Sequence, residues 1–436
     1  MSVEAANAGD ADVIAIVQAI ERAQAAGQRS EAGRLLERAR AIAPEHPLVL
    51  NVAGIEELHR GNASAARQLL EKAIEKDGRN PAFWLNLATA FRRLGLQAEE
   101  ARALDRALAL EPRHLLALLQ KASLLELQGK RKMAAQVYHN ALQTIPRGAR
   151  LPQNLRSAIQ RAVDAVRRND AALEAFLATR LEDVRRQHAS EKQDRFDHCI
   201  DAFLGKRRIY EPKPTFLCFP KLPPLEFHPR EDFPWLEEIE AGTERIRAEF
   251  ERVYAEDAGG LRPYIAYPES APLDQWAELN HSRRWSAYFL WKDGKPVEEH
   301  LARCPQTAEL LRRIPRVDVP GYAPTAFFSI LDARTRIPPH TGATNTRLIV
   351  HLPLVVPPGC RFRVGSETRE WRVGEAWVFD DTIEHEAWND SDTIRAILIF
   401  DVWNPGLTEA ERALVRTAVQ SIKEYYADEG MAITAE

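Results

Sequence analysis

Two patterns of hydrophobic residues divide the chain. Up to about residue 210, alanine and leucine recur at helical spacing, with few β-branched or aromatic runs. Beyond that point, short runs of β-branched and aromatic residues alternate with Pro, Gly, Asp and Asn, which is typical of strands joined by turns. The pattern predicts a multidomain α + β protein with a helical N-terminal region and a β-rich C-terminal region.

The helical region repeats with a period of 34 residues. Three series keep this interval, one of glycines, one of alanines and one of residues that end helices: Gly27, Gly61, Gly95 and Gly129; Ala39, Ala73, Ala107 and Ala141; Pro44, Gly78, Pro112 and Pro146. Glycine permits the turn, alanine lets two helices approach, and proline or glycine ends the second helix. The period therefore predicts a stack of helical hairpins, with copies at 13–46, 47–80, 81–114 and 115–148.

The third copy, PAFWLNLATAFRRLG, resembles the tetratricopeptide repeat through Trp84, Leu87, Ala88 and Gly95. Arrays of this kind bury a continuous core and present a concave face. The resemblance implies an α-helical solenoid over 13–148 that binds a protein or peptide partner. A scaffold or dimerisation element without a ligand is the alternative.

The remaining segments complete the predicted organisation. Residues 1–12 are expected to be a flexible N-terminus, 149–207 a helical cap and connector, and 208–436 a β-sandwich or jelly roll. The strand-like runs of that last region are PTFLCFPKLP, AYFLW, TAFFSILD, RLIVHLPLVV, RFRVG, AWVFDD and IRAILIFDVW. Helices are predicted within 232–256 and at the C-terminus, where Thr408 is the expected N-cap three residues before Glu411.

Charge and composition exclude several classes of protein. The 436 residues include 59 basic and 63 acidic side chains, a balance that argues against nucleic acid as the main partner. The four cysteines show no C-x-x-C spacing, so a thiolate zinc site is not expected and a reducing compartment suits the chain. No signal-peptide pattern and no long apolar run is present, which predicts a cytoplasmic protein that does not insert in a membrane.

Two histidines and an arginine in the β-rich region are candidates for chemistry. His340 precedes a small turn and His385 follows a strand-like run; a jelly roll can bring both to its mouth although 45 residues separate them. Arg395 lies within an apolar strand, where a guanidinium needs an anionic partner such as a bound carboxylate. Two imidazoles suit Fe(II) with open positions. The carboxylate of the usual facial triad is replaced by Gly342, so either water supplies that ligand or no metal binds.

Three stretches resemble the aspartyl/asparaginyl β-hydroxylase family, whose members are Fe(II)- and 2-oxoglutarate-dependent oxygenases. They are WSAYFLWKDG (285–294), HTGATNTRLIVHLPL (340–354) and WRVGEAWVFDDTIEHEAWNDSDTIRAILIFDVWNP (371–405). The resemblance covers roughly 210–410. It implies a double-stranded β-helix, a jelly-roll or cupin-like fold, that uses Fe(II), 2-oxoglutarate and dioxygen.

The resemblance also implies roles for individual residues. His340 and His385 would be the iron ligands, and Arg395 with Ser329 would hold the distal carboxylate of 2-oxoglutarate. His351 would lie by the other carboxylate of the co-substrate.

Other residues of the matched stretches have less defined parts. Arg347 would face a carboxylate of the substrate or co-substrate, and Trp285 would border the active site. Asp380 and Asp381 either orient His385 or cap a turn.

The function implied is hydroxylation of the β-carbon of Asp or Asn residues in a peptide or protein, recruited in part by the repeat array. One departure concerns the substrate: animal members carry a second arginine two residues after the position of Arg347, where this chain has Ile349. The alternatives are the same chemistry on a free amino acid, a peptide natural product or a lipid, oxidative halogenation, or an interaction protein with a silent oxygenase fold.

Overall fold

The chain folds as two compact units. The computed structural model describes residues 3–146, 148–268, 270 and 272–427. The units are Met1–Gln193 and Asp194–Glu436, and each has hydrophobic clusters of its own. Their boundary lies inside the segment 149–207, for which a connector is predicted. No helix of the described ranges is long and apolar enough to cross a membrane.

The first unit is an array of antiparallel helix pairs. Its helices are α1 Val3–Ala25, α2 Arg29–Ile42, α3 Pro47–His59, α4 Ala63–Lys76, α5 Pro81–Arg93, α6 Gln97–Leu110, α7 Leu115–Leu127, α8 Arg131–Gln143 and α9 Arg156–Gln187. The four periodic glycines all have positive φ, between 72° and 86°. The four periodic alanines are fully buried, so the reasons for the 34-residue period are confirmed. Trp84 and Phe91 both pack in the core of the array, Trp84 only partly buried.

Helix α1 differs from the prediction at its start. It begins at Val3, so residues 3–12, expected to be a flexible N-terminus, are helical. The segment is rich in alanine and contains no proline, and both properties favour a helix.

Side-chain caps start three of the helices. His46 Nδ1 accepts a hydrogen bond from Leu48 N at 3.2 Å, and Asn80 Oδ1 accepts one from Ala82 N at 3.0 Å. His114 caps α7 in the same way. Two of the histidines for which the sequence suggests only surface or packing roles therefore begin helices of the array.

The described residues of the second unit form two antiparallel sheets and six helices. The helices are α10 Asp194–Phe203, α11 Leu236–Ala241, α12 Thr243–Glu256, α13 Glu298–Arg303, α14 Pro305–Arg313 and α15 Glu409–Ala427. The strands are β1 Arg262–Pro263, β2 Trp285–Lys292, β3 Lys295–Pro296, β4 Ala326–Leu331, β5 Thr335–His340, β6 Arg347–Val355, β7 Cys360–Val364, β8 Glu367–Glu370, β9 Trp377–Phe379, β10 His385–Asn389 and β11 Arg395–Trp403. One sheet has the order β1-β2-β4-β11-β6-β9, with β3 beside β2, and the other has the order β5-β10-β7-β8. The predicted class, a helical solenoid followed by a jelly-roll domain, is confirmed.

The larger sheet has two different faces, as the alternation of side chains along a strand requires. On β4, Phe328 and Ile330 belong to a core that also contains Phe250 of α12 and Leu311 of α14. The next residue, Leu331, belongs to a second core shared with the smaller sheet. One face of the larger sheet therefore packs against helices, and the other faces the smaller sheet.

Two sequence predictions need correction. The run PTFLCFPKLP forms no strand, and only a single bridge joins Leu217 to Thr344. Its prolines cannot donate to a ladder, and this outweighs the β-forming residues between them. The helix predicted within 232–256 is two helices that meet at Gly242, a residue of low helix propensity. A Cβ there would lie 2.4 Å from Leu310 Cδ1.

The predicted cap of the last helix is confirmed. Thr408 Oγ1 accepts from Glu411 N, and the Glu411 carboxylate accepts from Thr408 N at 2.8 Å.

Candidate active site

His340 and His385 are brought together by strand pairing. They are register partners in β5 and β10, and their ring centroids are 4.0 Å apart. Nδ1 of His340 lies 2.8 Å from Pro338 O, and Nδ1 of His385 lies 3.0 Å from Ile383 O. Because a carbonyl oxygen only accepts, each Nδ1 carries the hydrogen and each Nε2 keeps its lone pair.

Burial keeps both imidazoles neutral. It lowers the pKa of His340 to about 4. The pKa of His385 lies well below its ordinary value, first because of burial and then because of the neighbouring His340. Neutral imidazole with an unprotonated Nε2 is the form that binds a metal ion.

The described residues offer two imidazoles rather than a complete ligand set, since they contain no cluster of three or more His, Cys, Asp or Glu that could hold a metal. Gly342 accounts for the missing carboxylate: a Cβ there would lie 2.1 Å from Asp381 Oδ2. The Asp381 carboxyl thus occupies the space that a side chain at 342 would need. Two preoriented imidazoles fit Fe(II) with open positions for other ligands.

The two aspartates before His385 have different surroundings. Asp380 Oδ1 accepts hydrogen bonds from Thr382 N at 2.9 Å and Thr382 Oγ1 at 2.6 Å, so Asp380 caps the turn. Oδ1 of Asp381 has no hydrogen-bond partner among the described residues. Burial raises the pKa of Asp381 to about 7, although Arg347 opposes this effect.

All six residues predicted for the site line one cavity of about 510 Å³ between the two sheets. They are Ser329, His340, Arg347, His351, His385 and Arg395.

Arg395 is a buried cation without an internal counter-ion. It is 1% exposed, and its Nη1 donates to Ser329 O and Ser329 Oγ, both at 3.3 Å. Burial lowers its pKa to about 10, so the guanidinium stays charged at neutral pH. Within the described part of the chain it makes no ion pair, and its Nε has no partner. The guanidinium also lies over the Trp371 ring, 4.9 Å from its centroid. A bound anion would stabilise it further.

Ser329 connects Arg395 to a tryptophan whose part the sequence leaves undefined. Trp285 Nε1 donates to Ser329 Oγ at 3.1 Å, beside the bond from Arg395. These two donors use both acceptor positions of the hydroxyl. The hydroxyl hydrogen is therefore left to donate to a ligand in the cavity. The signal that could have found this contact is the alternation on β2 and β4, which puts Trp285 and Ser329 on the same face.

His351 lies in an aromatic enclosure beside Arg395. Its ring centroid is 4.9 Å from that of Phe362 and 4.8 Å from that of Phe379. Burial, and then the charge of Arg395, hold its pKa well below the ordinary value. Its Nδ1 has no partner among the described residues, so it can exchange a hydrogen bond with a ligand.

Arg347 differs from Arg395 because internal carboxylates surround it. Its Nη1 lies 3.1 Å from Asp401 Oδ2, and its Nη2 lies 4.0 Å from Asp381 Oδ2. Burial alone would lower the pKa of Arg347, but Tyr322, Asp381 and Asp401 raise it above its ordinary value. Sequence reasoning missed this pairing, since Asp401 lies 54 residues away.

Aromatic residues form one wall of the cavity. Tyr264 stacks on Trp285 with centroids 4.1 Å apart, and Trp276 meets the His340 ring at 5.0 Å. Tyr264 and Trp276 were not predicted, because no motif or spacing marks them. Aromatic side chains thus lie directly beside the His340 ring, which is half-buried.

Comparison with known proteins identifies relatives of the second unit. Residues 240–405 match the family model described as Aspartyl/Asparaginyl beta-hydroxylase. The human "Aspartyl/asparaginyl beta-hydroxylase" is 38% identical over 141 residues, which are 32% of this chain and 18% of that protein. The Rhizobium tropici "Ornithine lipid ester-linked acyl 2-hydroxylase" is 34% identical over 177 residues, 40% of this chain and 58% of that protein. The chain therefore spans less than two thirds of the length of these curated relatives.

Among solved structures, a thermophilic TPR protein of Thermus thermophilus matches with 21% identity and a TM-score of 0.32, covering 41% of this chain and 97% of that one.

Proposed function

We propose that this chain, whose residues 240–405 match the Aspartyl/Asparaginyl beta-hydroxylase family model, is an Fe(II)- and 2-oxoglutarate-dependent dioxygenase that hydroxylates its substrate. One observation carries the proposal. Two neutral imidazoles with matching tautomers face the same cavity as a buried guanidinium that has no acidic counter-ion among the described residues. A metal ion would bind the Nε2 lone pairs of His340 and His385, and a dicarboxylate would pair with the Arg395 guanidinium.

His340 and His385 would hold the iron through Nε2, since each Nδ1–H is committed to a backbone carbonyl. Those carbonyl bonds fix the orientation of both rings before the metal binds. When bound, iron with 2-oxoglutarate and dioxygen supplies the oxidising chemistry that converts the co-substrate to succinate and carbon dioxide and hydroxylates an unactivated carbon.

The residues of the larger sheet would hold the co-substrate. Arg395 would donate to its distal carboxylate, and Ser329 would give the same group its remaining hydroxyl hydrogen. His351 would donate to the other end of the molecule. Arg347 would lie at the opposite end of the cavity, where its guanidinium faces the carboxyls of Asp381 and Asp401. The aromatic wall formed by Tyr264, Trp276 and Trp285 would exclude water from the reacting centre.

The names of the relatives point to two kinds of substrate. The resemblance to the human protein supports the β-carbon of Asp or Asn in a peptide or protein, with the helical array helping to recruit it. The name of the rhizobial relative supports an acyl chain, and the apolar side chains of Ile349 and Ile399 in the cavity favour that second candidate.

Succinate release by the full chain tests the proposal. With Fe(II), 2-oxoglutarate and air, we expect wild-type protein to form succinate and to add one oxygen atom to a substrate detected by mass spectrometry. The variant with both His340→Ala and His385→Ala should lose at least 99% of that rate, roughly the effect of removing a metal centre. His59→Ala, on the exposed end of α3, is the control. Equal succinate release by wild type and the double variant would contradict the proposal.

A further inference from the structure

We infer that the group hydroxylated in this cavity is neutral, and that a substrate carrying a carboxylate at the reacting position is excluded. The inference rests on the proposed function and narrows its substrate class. It follows from where the charges of the cavity lie and from which of them are already neutralised.

The described lining of the cavity holds two guanidiniums, those of Arg347 and Arg395. They mark opposite ends of the larger sheet's inner face. Arg347 pairs in register with Trp403 at the end of β11, whereas Arg395 begins that strand. Eight residues of strand at about 3.3 Å each put the two ends on the order of 25 Å apart along the backbone. Their side chains contact different groups, Asp401 for Arg347 and Ser329 for Arg395.

The end at Arg395 suits the co-substrate. Its guanidinium has only Ser329 oxygen atoms as acceptors, and no carboxylate of the described chain pairs with it. One carboxylate of a dicarboxylic acid would therefore meet an uncompensated charge there. Once that carboxylate is bound, this cation is neutralised.

The end at Arg347 is already neutral or negative. One guanidinium faces the carboxyls of Asp401 at 3.1 Å and Asp381 at 4.0 Å. Asp401 is 1% exposed and is held further by Thr325 N, at 3.1 Å and 3.2 Å from its two oxygens. A substrate carboxylate would enter as a further buried negative charge without a cation of its own, which is strongly unfavourable.

The face between the two ends carries two isoleucines beside His351. Ile349 lies between Arg347 and His351 on the same side of β6 and pairs with Asp401. Ile399 pairs with both His351 and Phe327 across the sheet. Both isoleucine side chains line the cavity, so part of its surface between the two arginines is hydrocarbon. An amide or an aliphatic group fits that surface, whereas a carboxylate does not.

The test uses three peptides that are identical except for Asp, Asn or Leu at one central position. Their binding to the full chain is measured by calorimetry with Mn(II) and 2-oxoglutarate present, so no turnover is required. Asp and Asn have almost the same shape, and therefore differ mainly in charge. We expect the Asn and Leu peptides to bind at least tenfold more tightly than the Asp peptide.

Ile349→Arg provides the converse test. The new guanidinium would lie on the cavity face without an internal carboxylate of its own, and should strengthen binding of the Asp peptide at least tenfold. Ile349→Met is the matched control and should leave the order of the three peptides unchanged. Thermal melting of both variants establishes that they are folded. The order of the three peptide affinities for wild-type protein tests the inference even if a variant does not fold.

The inference is wrong if the Asp peptide binds wild-type protein as tightly as the Asn peptide. It is also wrong if all three peptides bind with equal affinity, both to wild-type protein and to Ile349→Arg. The proposed function fails separately. Absence of succinate with every peptide, while the binding order holds, counts against oxygenase chemistry alone. Fastest hydroxylation of the Asp peptide counts against the neutral substrate alone.

Discussion

The hydroxyl of Ser329 shows how single hydrogen bonds determine this site. Both of its acceptor positions are filled, by Trp285 Nε1 at 3.1 Å and Arg395 Nη1 at 3.3 Å. The direction of its hydrogen is therefore set by two protein donors before any ligand enters. Trp285 acts in this way as a positioning residue, because it orients a group that would contact the co-substrate.

Trp285→Phe should weaken 2-oxoglutarate binding without slowing the chemical step. The ring stays in the aromatic wall but the N–H is lost, so we expect KM for 2-oxoglutarate to rise about 3- to 10-fold, the worth of one hydrogen bond, with kcat nearly unchanged. Trp377→Phe is the control, since Trp377 Nε1 has no partner in the described chain. If Trp285→Phe lowers kcat and leaves KM unchanged, the positioning role is wrong.

His228 predicts a pH dependence of stability away from the site. Burial lowers its pKa to about 4 from 6.5, and neither ring nitrogen has a partner among the described residues. The unfolded chain therefore binds more protons than the folded chain between these pH values. Stability is complete above pH 6.5 and falls as the pH drops towards 4, by up to about 3 kcal/mol.

His228→Phe should remove this part of the pH dependence. Urea unfolding of both proteins at pH 7.5, 6, 5 and 4 (roughly spanning the window) measures it, and the free energy of unfolding of the variant should fall less steeply with acid. Parallel curves for the two proteins would show that His228 is not the group responsible.

At the scale of elements, local requirements could be predicted and distant contacts could not. The periodic glycines predicted the turns of the array because a positive φ is a property of one residue. The run of aromatic and β-branched residues in TAFFSILD predicted β4, because such residues favour a strand wherever it lies in the fold. By contrast, no local pattern reports the tertiary contact between Gly242 and Leu310.

The site follows the same rule. His340, His385 and Arg395 could be found because histidines beside turns and an arginine within an apolar strand are unusual locally. The counter-ion of Arg347 could not be predicted, since Asp401 lies on another strand. The two side chains meet only because of the register of β6 against β11. From the sequence, Gly342 is notable only because it stands where a metal-binding carboxylate is usual. The structure shows that the Asp381 carboxyl fills the space that a side chain at 342 would need.

At the scale of the whole molecule, the chain joins an array of helical hairpins to a jelly roll, and each unit has its own core. The cavity is built from residues of the second unit alone. Recruitment of a peptide or protein by the array stays a prediction.

In the proposed enzyme Arg395 holds the co-substrate, while Arg347, the other arginine of the cavity, is neutralised by Asp401 and Asp381. The affinity of the Mn(II)-loaded full chain for 2-oxoglutarate, measured by calorimetry, tests it directly. Arg395→Gln should weaken binding about 100-fold, the worth of a buried charge-assisted pair. Arg361→Gln, which removes an exposed guanidinium paired with Asp390, should leave the affinity within about threefold. Equal affinities of wild type and Arg395→Gln would contradict the claim.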